Sequence, residues 1–114
     1  MAKQVRDIDT LKTYIAGVVE RAGHHAPGVE DIVLALAGAV VWRKDPTTPL
    51  KVNTRDGQMT NVLWVEIGGK RYAFSYNHDQ QTVEVRAQTL QGAVMRSFSN
   101  STPVNEVKAF FGGL

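Results

Sequence analysis

The segment NVLWVEIGGKRYAFSYNHD, residues 61–79, predicts a β-hairpin. Two runs rich in β-branched and aromatic residues flank the pair Gly68-Gly69, and both glycines can take the positive φ that a tight two-residue turn requires. If Ile67 pairs with Lys70, the register of the whole hairpin is fixed. The further cross-strand pairs are then Glu66 with Arg71, Val65 with Tyr72 and Leu63 with Phe74.

The run TVEVR, residues 82–86, alternates apolar and polar side chains and predicts a third strand beside the hairpin. Its expected partners in the hairpin are Tyr76 for Val83 and Phe74 for Val85. Side chains alternate between the two faces of a sheet, so the large apolar residues collect on one face and form the core. The predicted core face consists of Leu63, Val65, Tyr72, Phe74, Tyr76, Val83 and Val85.

Two outer strands complete the predicted sheet. Residues 50–54 and 59–65 flank an Asp-Gly pair, which favours a tight turn, and they predict a further hairpin. A last strand is predicted over about residues 93–98, after a turn that contains glycine. The segment DPTTP, residues 45–49, is predicted to be a loop because its two prolines interrupt both helix and sheet.

Two helices are predicted before the sheet. Over residues 7–22 the apolar side chains recur at spacings of three and four, which indicates an amphipathic helix. After a short linker a second helix begins near Val29. It is predicted to be the most buried one, since residues 32–37 are apolar on all sides. Its end stays open: either Gly38 terminates it and residues 39–43 form a short strand, or the helix continues through them.

The chain closes with a predicted helix whose N-cap is Thr102 and whose first helical residue is Pro103. An apolar stripe on this helix is expected to pack on the core face of the sheet. The stripe consists of Val104, Val107, Phe110, Phe111 and Leu114. The predicted fold is a single α+β domain over residues 1–114, with two N-terminal helices, an antiparallel β-meander of four to five strands and a C-terminal helix packed on the sheet.

The composition is that of a globular protein. Of the 114 residues, 43% are hydrophobic and 21% are charged, which predicts neither disorder nor a fibrous repeat. The absence of cysteine removes disulfides and thiolate chemistry and fits a reducing cytosol. No secretory signal is evident, and the longest apolar run, Ile32 to Trp42, is about half of a membrane span. A cytoplasmic protein without membrane association is expected, and the net charge of +2 gives little general attraction to nucleic acid.

Three stretches of the chain stand out together: ALAGAVVWRKDP (35–46), NVLWVEIGGKRYAFSYNHD (61–79) and SFSNSTPVNEVKAFF (97–111). They resemble a group of small bacterial proteins carried on integron gene cassettes, and the resemblance covers about residues 35–114. The matching positions are strand, turn and cap residues. The resemblance implies a mobile bacterial gene and carries over no catalytic residue, because these cassette proteins mostly have no assigned activity.

The candidates for catalysis or metal binding are few. His24 and His25 are adjacent, so they cannot hold one metal ion at the usual i,i+4 spacing, and a surface loop explains them better. His78-Asp79 resembles half of a general-base pair, yet a hairpin turn explains it better. The sequence contains no phosphate-binding glycine loop and no nucleophile motif. No catalytic residue, metal ion or cofactor is therefore predicted, and a non-enzyme is favoured.

The favoured function is that of an interaction module that forms a homo-oligomer. The hairpin register collects several apolar residues on the sheet face opposite the core, with charged residues around them, and this arrangement is typical of a small interface. The candidate interface residues are Val62, Trp64, Ala73 and Ser75.

Two other functions stay open. The first is small-molecule binding in an aromatic pocket between the sheet and the helices, lined by Trp42, Tyr72 and Tyr76. The second is weak nucleic-acid binding through scattered basic residues that share one edge of the domain. These basic residues are Arg43, Lys44, Lys51, Arg55, Lys70 and Arg71.

Overall fold

The computed structural model describes residues 8–9, 11–12, 16, 29, 31–55, 58–77 and 79–114. The elements in chain order are α1 (Ile32–Arg43), β1 (Lys51–Arg55), β2 (Gln58–Ile67), β3 (Lys70–Asn77), β4 (Thr82–Ala87), β5 (Val94–Phe98) and α2 (Val104–Gly112). Neighbouring strands pair antiparallel in the order of the sequence, so the fold is α+β with a five-stranded meander. The two helices contain 12 and 9 residues, and no helix in the described part of the chain is long enough to cross a membrane.

The register of the central hairpin confirms the prediction. Ile67 pairs with Lys70 at the turn, and the next residues pair in the expected order. Those pairs are Glu66 with Arg71, Val65 with Tyr72 and Leu63 with Phe74. The turn glycines Gly68 and Gly69 have φ of 61° and 79°, so a side chain at either position would strain the turn.

The third strand and the core face are also as predicted. Strand β4 pairs with β3 through Tyr76 with Val83 and Phe74 with Val85. None of the predicted core-face residues exposes more than 9% of its surface. They are Leu63, Val65, Tyr72, Phe74, Tyr76, Val83 and Val85.

Helix α1 resolves the question that the sequence left open about residues 39–43. The helix continues past Gly38 to Arg43, so these residues are helical. Ala39 and Val40 are buried in the core, and this burial outweighs the strand preference of the β-branched residues. The helix is nevertheless not buried on all sides as predicted, because Leu34 and Trp42 expose 63% and 54% of their surface.

One helix, α1, is described in full before the sheet. Most of the first predicted helix, residues 7–22, lies outside the described residues, and those of its residues that are described, 8–9, 11–12 and 16, are helical. The predicted linker at residues 24–28 also lies outside the described residues. Leu11 is described, and it is buried in the same core cluster as α1 and the sheet.

Helices α1 and α2 lie side by side and run in the same direction. Just before α2, the side-chain oxygen of Asn100 accepts hydrogen bonds of 3.0 Å from the backbone N–H groups of Asp31 and Ile32. At the other end, the Arg43 guanidinium donates a 2.9 Å hydrogen bond to the carbonyl oxygen of Leu114. The segment around α2 therefore satisfies the start of α1, whose own N-cap residue makes no side-chain cap.

The predicted N-cap at Thr102 is wrong by one residue. Pro103 occupies the N-cap position in an extended conformation, and the helix begins at Val104. The Thr102 hydroxyl instead accepts a 3.0 Å hydrogen bond from the Ser99 N–H, and the Thr102 N–H donates a 3.0 Å bond to the Ser99 carbonyl. Thr102 therefore closes the turn before the helix and leaves the cap position to Pro103.

Helix α2 packs on the core face of the sheet as predicted. Phe111 is fully buried and stacks on Phe74 with ring centres 5.8 Å apart, while Phe110 meets the edge of Phe98 at 5.6 Å. Of the predicted stripe, Val104 alone exposes most of its surface, 66%, because it is the first residue of the helix and lies beyond the buried turns.

Asp45 connects the predicted loop at residues 45–49 to the tip of the central hairpin. Its two carboxylate oxygens accept hydrogen bonds of 2.7 Å from the N–H groups of Gly68 and Gly69. Its own N–H donates a 2.8 Å bond to the Glu66 carbonyl. The hydrogen bonds from Gly69 and Gly68 hold the pKa of Asp45 below its ordinary value of 3.8. This loop is therefore bonded to the hairpin turn through one carboxylate.

Candidate interaction surface

The four predicted interface residues lie on the sheet face opposite the core, which is called the outer face below. Trp64 pairs with Ala73 on the neighbouring strand, and Val62 pairs with Ser75. Three of the four are half-buried, whereas Ala73 exposes 1% of its surface and lies beneath its neighbours. The structure therefore brings the four residues together, and their role in an interface stays a prediction.

Trp64 is held in place at two points. Its indole N–H donates a 2.8 Å hydrogen bond to the side-chain oxygen of Asn53 on β1. On the other side, the guanidinium carbon of Arg71 on β3 lies 4.4 Å from the centre of the indole ring. A guanidinium at this distance from an aromatic face is attracted to it, by roughly 0.5–1 kcal/mol at exposed sites. The ring is therefore fixed in orientation although part of it is open to solvent.

Arg71 is in turn fixed by the backbone that follows β4. Its guanidinium donates a 2.7 Å hydrogen bond to the carbonyl oxygen of Gln88, and the Gln88 N–H donates a 2.9 Å bond to the Arg71 carbonyl. Gln88 has a φ of 69°, a conformation that residues other than glycine rarely adopt. An unusual turn thus positions the cation that covers Trp64.

On the half of the outer face formed by β3 and β4, the polar side chains bond to one another. Arg86 forms a 2.9 Å ion pair with Glu84 and a 3.3 Å hydrogen bond to the Ser75 hydroxyl. The Asn77 side-chain amide donates a 3.0 Å bond to the other oxygen of Glu84. These side chains are bonded to one another, so this half offers few free groups to a partner.

A cleft of about 510 Å³ opens on the other half of the outer face and is called the Trp64 cleft below. Its lining consists of Pro49, Lys51, Val52, Asn53, Trp64, Val65, Glu66 and Arg71. Lys51 on β1 pairs with Trp64 on β2, and Glu66 on β2 pairs with Arg71 on β3. Among the residues that the structure describes, neither Lys51 nor Glu66 forms an ion pair.

The sequence did not predict that Lys51 and Asn53 reach Trp64. Near the turn, Thr54 pairs with Met59, and an unbroken register would place Lys51 opposite Val62. The register shifts between Val52 and Thr54, so Lys51 faces Trp64 instead. No residue pattern in the sequence marks the position of this irregularity.

The residues of the predicted aromatic pocket lie in different surroundings. Tyr72 and Tyr76 belong to the buried core cluster, whereas Trp42 does not and exposes 54% of its surface. The Trp42 ring approaches Gly112, where a Cβ atom would lie 3.5 Å from it. A pocket shared by these three residues stays a prediction.

His24, His25 and His78 lie outside the described residues. Beside position 78, the side-chain oxygen of Asn77 accepts 3.0 Å hydrogen bonds from the N–H groups of Asp79 and Gln80, which is typical of the predicted turn. Across the described ranges, no three His, Asp or Glu residues are grouped so that they could hold a metal ion.

Over most of its length the chain matches a known protein family. Residues 11–108 match the family described as "Integron cassette protein VCH_CASS1 chain". The match begins at residue 11, whereas the resemblance seen in the sequence begins at about residue 35. No curated protein matches the chain.

Proposed function

The chain belongs to this integron cassette protein family, and we propose that it is a non-enzymatic interaction module that self-associates through the outer face of its sheet. The observation that carries the proposal is the half-buried Trp64 ring, held by Asn53 and Arg71. Tryptophan and arginine are enriched among the residues that dominate the energy of protein interfaces. A ring whose orientation is already fixed loses little side-chain entropy when a partner covers it.

The outer face suits a partner better than the edges of the sheet do. The edge strands β1 and β5 contain five residues each. Each pairs with its neighbour through an irregular register, with shifts between Val52 and Thr54 and between Val85 and Arg86. Short edge strands with bulges disfavour the addition of another strand. The core face is covered by α1 and α2, so in the described part of the chain the outer face is the broad surface of the sheet that a partner can reach.

A second copy of the chain is the partner that fits the charges of this face. In a two-fold interface the same surface of each copy contacts that of the other, so the residues on this surface must complement one another. Lys51 and Glu66 carry opposite charges, lie in the Trp64 cleft and form no ion pair within the described residues. Across a two-fold axis near Trp64, Lys51 of each copy can meet Glu66 of the other. Charges placed in this way set the register and orientation of a contact.

A charge-swap experiment tests this pairing. Lys51→Glu and Glu66→Lys are each expected to weaken self-association, because each places like charges together across the interface. The double variant carrying both changes is expected to recover most of the association, since opposite charges then face each other again. Lys108→Glu is the matched control, because Lys108 is exposed on α2 at the core side of the sheet. Sedimentation velocity at equal protein concentrations measures the association.

The double variant decides the outcome. Recovery of association in it, with the control unchanged, supports reciprocal Lys51–Glu66 contacts. If the double variant loses as much self-association as the two single variants together, the two residues do not meet across the interface and the pairing is wrong. Circular dichroism of each variant checks that the fold is retained.

A further inference from the structure

We infer that the Trp64 cleft is a binding site for a small planar molecule that carries one carboxylate group. This inference does not rest on self-association. It follows from the size of the cleft, the balance of charge in its lining and the fixed orientation of its two central side chains.

The size of the cleft suits a small ligand. Its volume of about 510 Å³ falls inside the range of roughly 300–1,000 Å³ that is usual for small-molecule sites. Half of its eight lining residues are polar or charged, and Pro49, Val52 and Trp64 supply apolar surface. In small-molecule sites, apolar surface supplies contact area and polar groups fix the orientation of the ligand. A ligand ring that rests against the part of Trp64 that Arg71 does not cover would use both.

The charges of the lining favour an anion. Lys51 and Arg71 contribute two positive charges to the cleft, and Glu66 contributes one negative charge. The Arg71 guanidinium has five N–H donors, and its bond to the Gln88 carbonyl occupies one nitrogen. The remaining donors and the Lys51 ammonium can bind a carboxylate through charge-assisted hydrogen bonds. Glu66 would repel a second negative charge, so a monocarboxylate fits better than a dianion.

The central side chains already have the orientation that such a ligand needs. Asn53 holds the Trp64 indole, and the Gln88 carbonyl holds the Arg71 guanidinium 4.4 Å from the centre of that ring. The guanidinium lies over one face of the ring, so the pair presents N–H donors and the uncovered part of the ring at a set distance. Binding then costs little ordering of the protein, which raises the affinity for a rigid ligand with the same two features.

Tryptophan fluorescence provides a direct test. The chain contains two tryptophans, so Trp42→Phe leaves Trp64 as the sole reporter, and Trp42 is not part of the cleft lining. This variant is titrated with benzoate, with neutral benzamide and with inorganic phosphate. We expect a saturable change with benzoate, no saturable change with benzamide and much weaker binding of phosphate. Equal binding of benzamide, or no saturable response to benzoate, would overturn the inference. Equal binding of phosphate would overturn the claim that the ligand must be planar.

Charge variants in the same background locate the ligand. Arg71→Gln is expected to weaken benzoate binding about tenfold or more, and Lys51→Gln by a smaller factor, as loss of a charge-assisted hydrogen bond does. Lys108→Gln, on the opposite side of the sheet, should leave the midpoint unchanged. A benzoate midpoint that neither cleft variant moves would show that the ligand binds elsewhere.

The titration also separates this inference from self-association. It is carried out at a protein concentration at which light scattering reports the monomer, so that a failure to self-associate does not affect it. At higher concentration the ligand and the second copy compete for Trp64, and saturating benzoate should lower the average mass. Binding without any effect on an oligomer that depends on Trp64 would contradict placement of the ligand in this cleft.

Discussion

The guanidinium carbon of Arg71 lies 4.4 Å from the centre of the Trp64 ring. This contact joins two neighbouring strands on the outer face, opposite the face on which α1 and α2 pack. Since Asn53 bonds to the indole N–H from the other side, Trp64 is a fixed feature of the surface rather than a mobile exposed ring. The proposed interface and the proposed ligand site both depend on this fixed ring.

Phe74→Ala is expected to reduce the free energy of unfolding by about 3–5 kcal/mol, as the truncation of a packed aromatic residue does. Phe74 exposes 2% of its surface and stacks on Phe111 of α2. The variant therefore removes a contact between sheet and helix and leaves a cavity between them. Urea unfolding followed by circular dichroism measures the change. A loss below about 1 kcal/mol would contradict the assignment of this face as the core.

Asn100→Ala is expected to cost about 0.5–2 kcal/mol, the range found when a helix loses its side-chain cap. The cap is unusual because it comes from a residue 68 positions after Ile32 in the chain. Asn100→Asp retains an acceptor and adds a negative charge at a helix N-terminus, so it should keep most of the stability. Asn105→Ala, an exposed change within α2, is the matched control for denaturant unfolding. Equal effects at positions 100 and 105 would show that the cap contributes nothing.

Asp45→Asn is expected to lower the melting temperature at neutral pH and to have a smaller effect in acid. The hydrogen bonds from Gly69 and Gly68 depress the pKa of Asp45 in the folded state below 3.8. Its ionised form therefore stabilises the fold above the pKa of the unfolded state, and this contribution is lost as the pH falls through the lower folded-state pKa. Thermal unfolding from neutral to acidic pH measures the difference, with Asp79→Asn in the exposed β3–β4 turn as control. A difference that does not change with pH would refute the role of the ionised carboxylate.

The central hairpin was predictable because its register follows from local chemistry. The two glycines fix the turn, the period of two fixes the faces, and Phe74 and Val85 confirm both. The end of α1 was not predictable to the same degree, because the β-branched Val40 favours a strand locally and the helix wins through its burial in the core. At the end of α1, packing in the core therefore outweighs the local preference for a strand.

The site was predictable only as a set of residues on one face. Alternation placed Val62 and Trp64 together, which the pairing of β2 with β3 confirms. The contacts of Trp64 depend on the shifted register of β1 and on the positive φ of Gln88, and neither follows from a propensity or a spacing. Such irregular backbone brings together residues that are distant in the sequence, so it becomes visible only in the folded structure.

Self-association through Trp64 is the central claim, and light scattering on Trp64→Glu tests it most directly. A charge at this position leaves the core of the monomer intact but must be desolvated twice across a two-fold interface. The matched control is Trp42→Glu, which places the same charge at an exposed tryptophan on α1. At equal concentrations the wild type and Trp42→Glu should be oligomers and Trp64→Glu a monomer, all with the same circular dichroism. A monomeric wild type, or an oligomer that Trp64→Glu leaves unchanged, would contradict the claim.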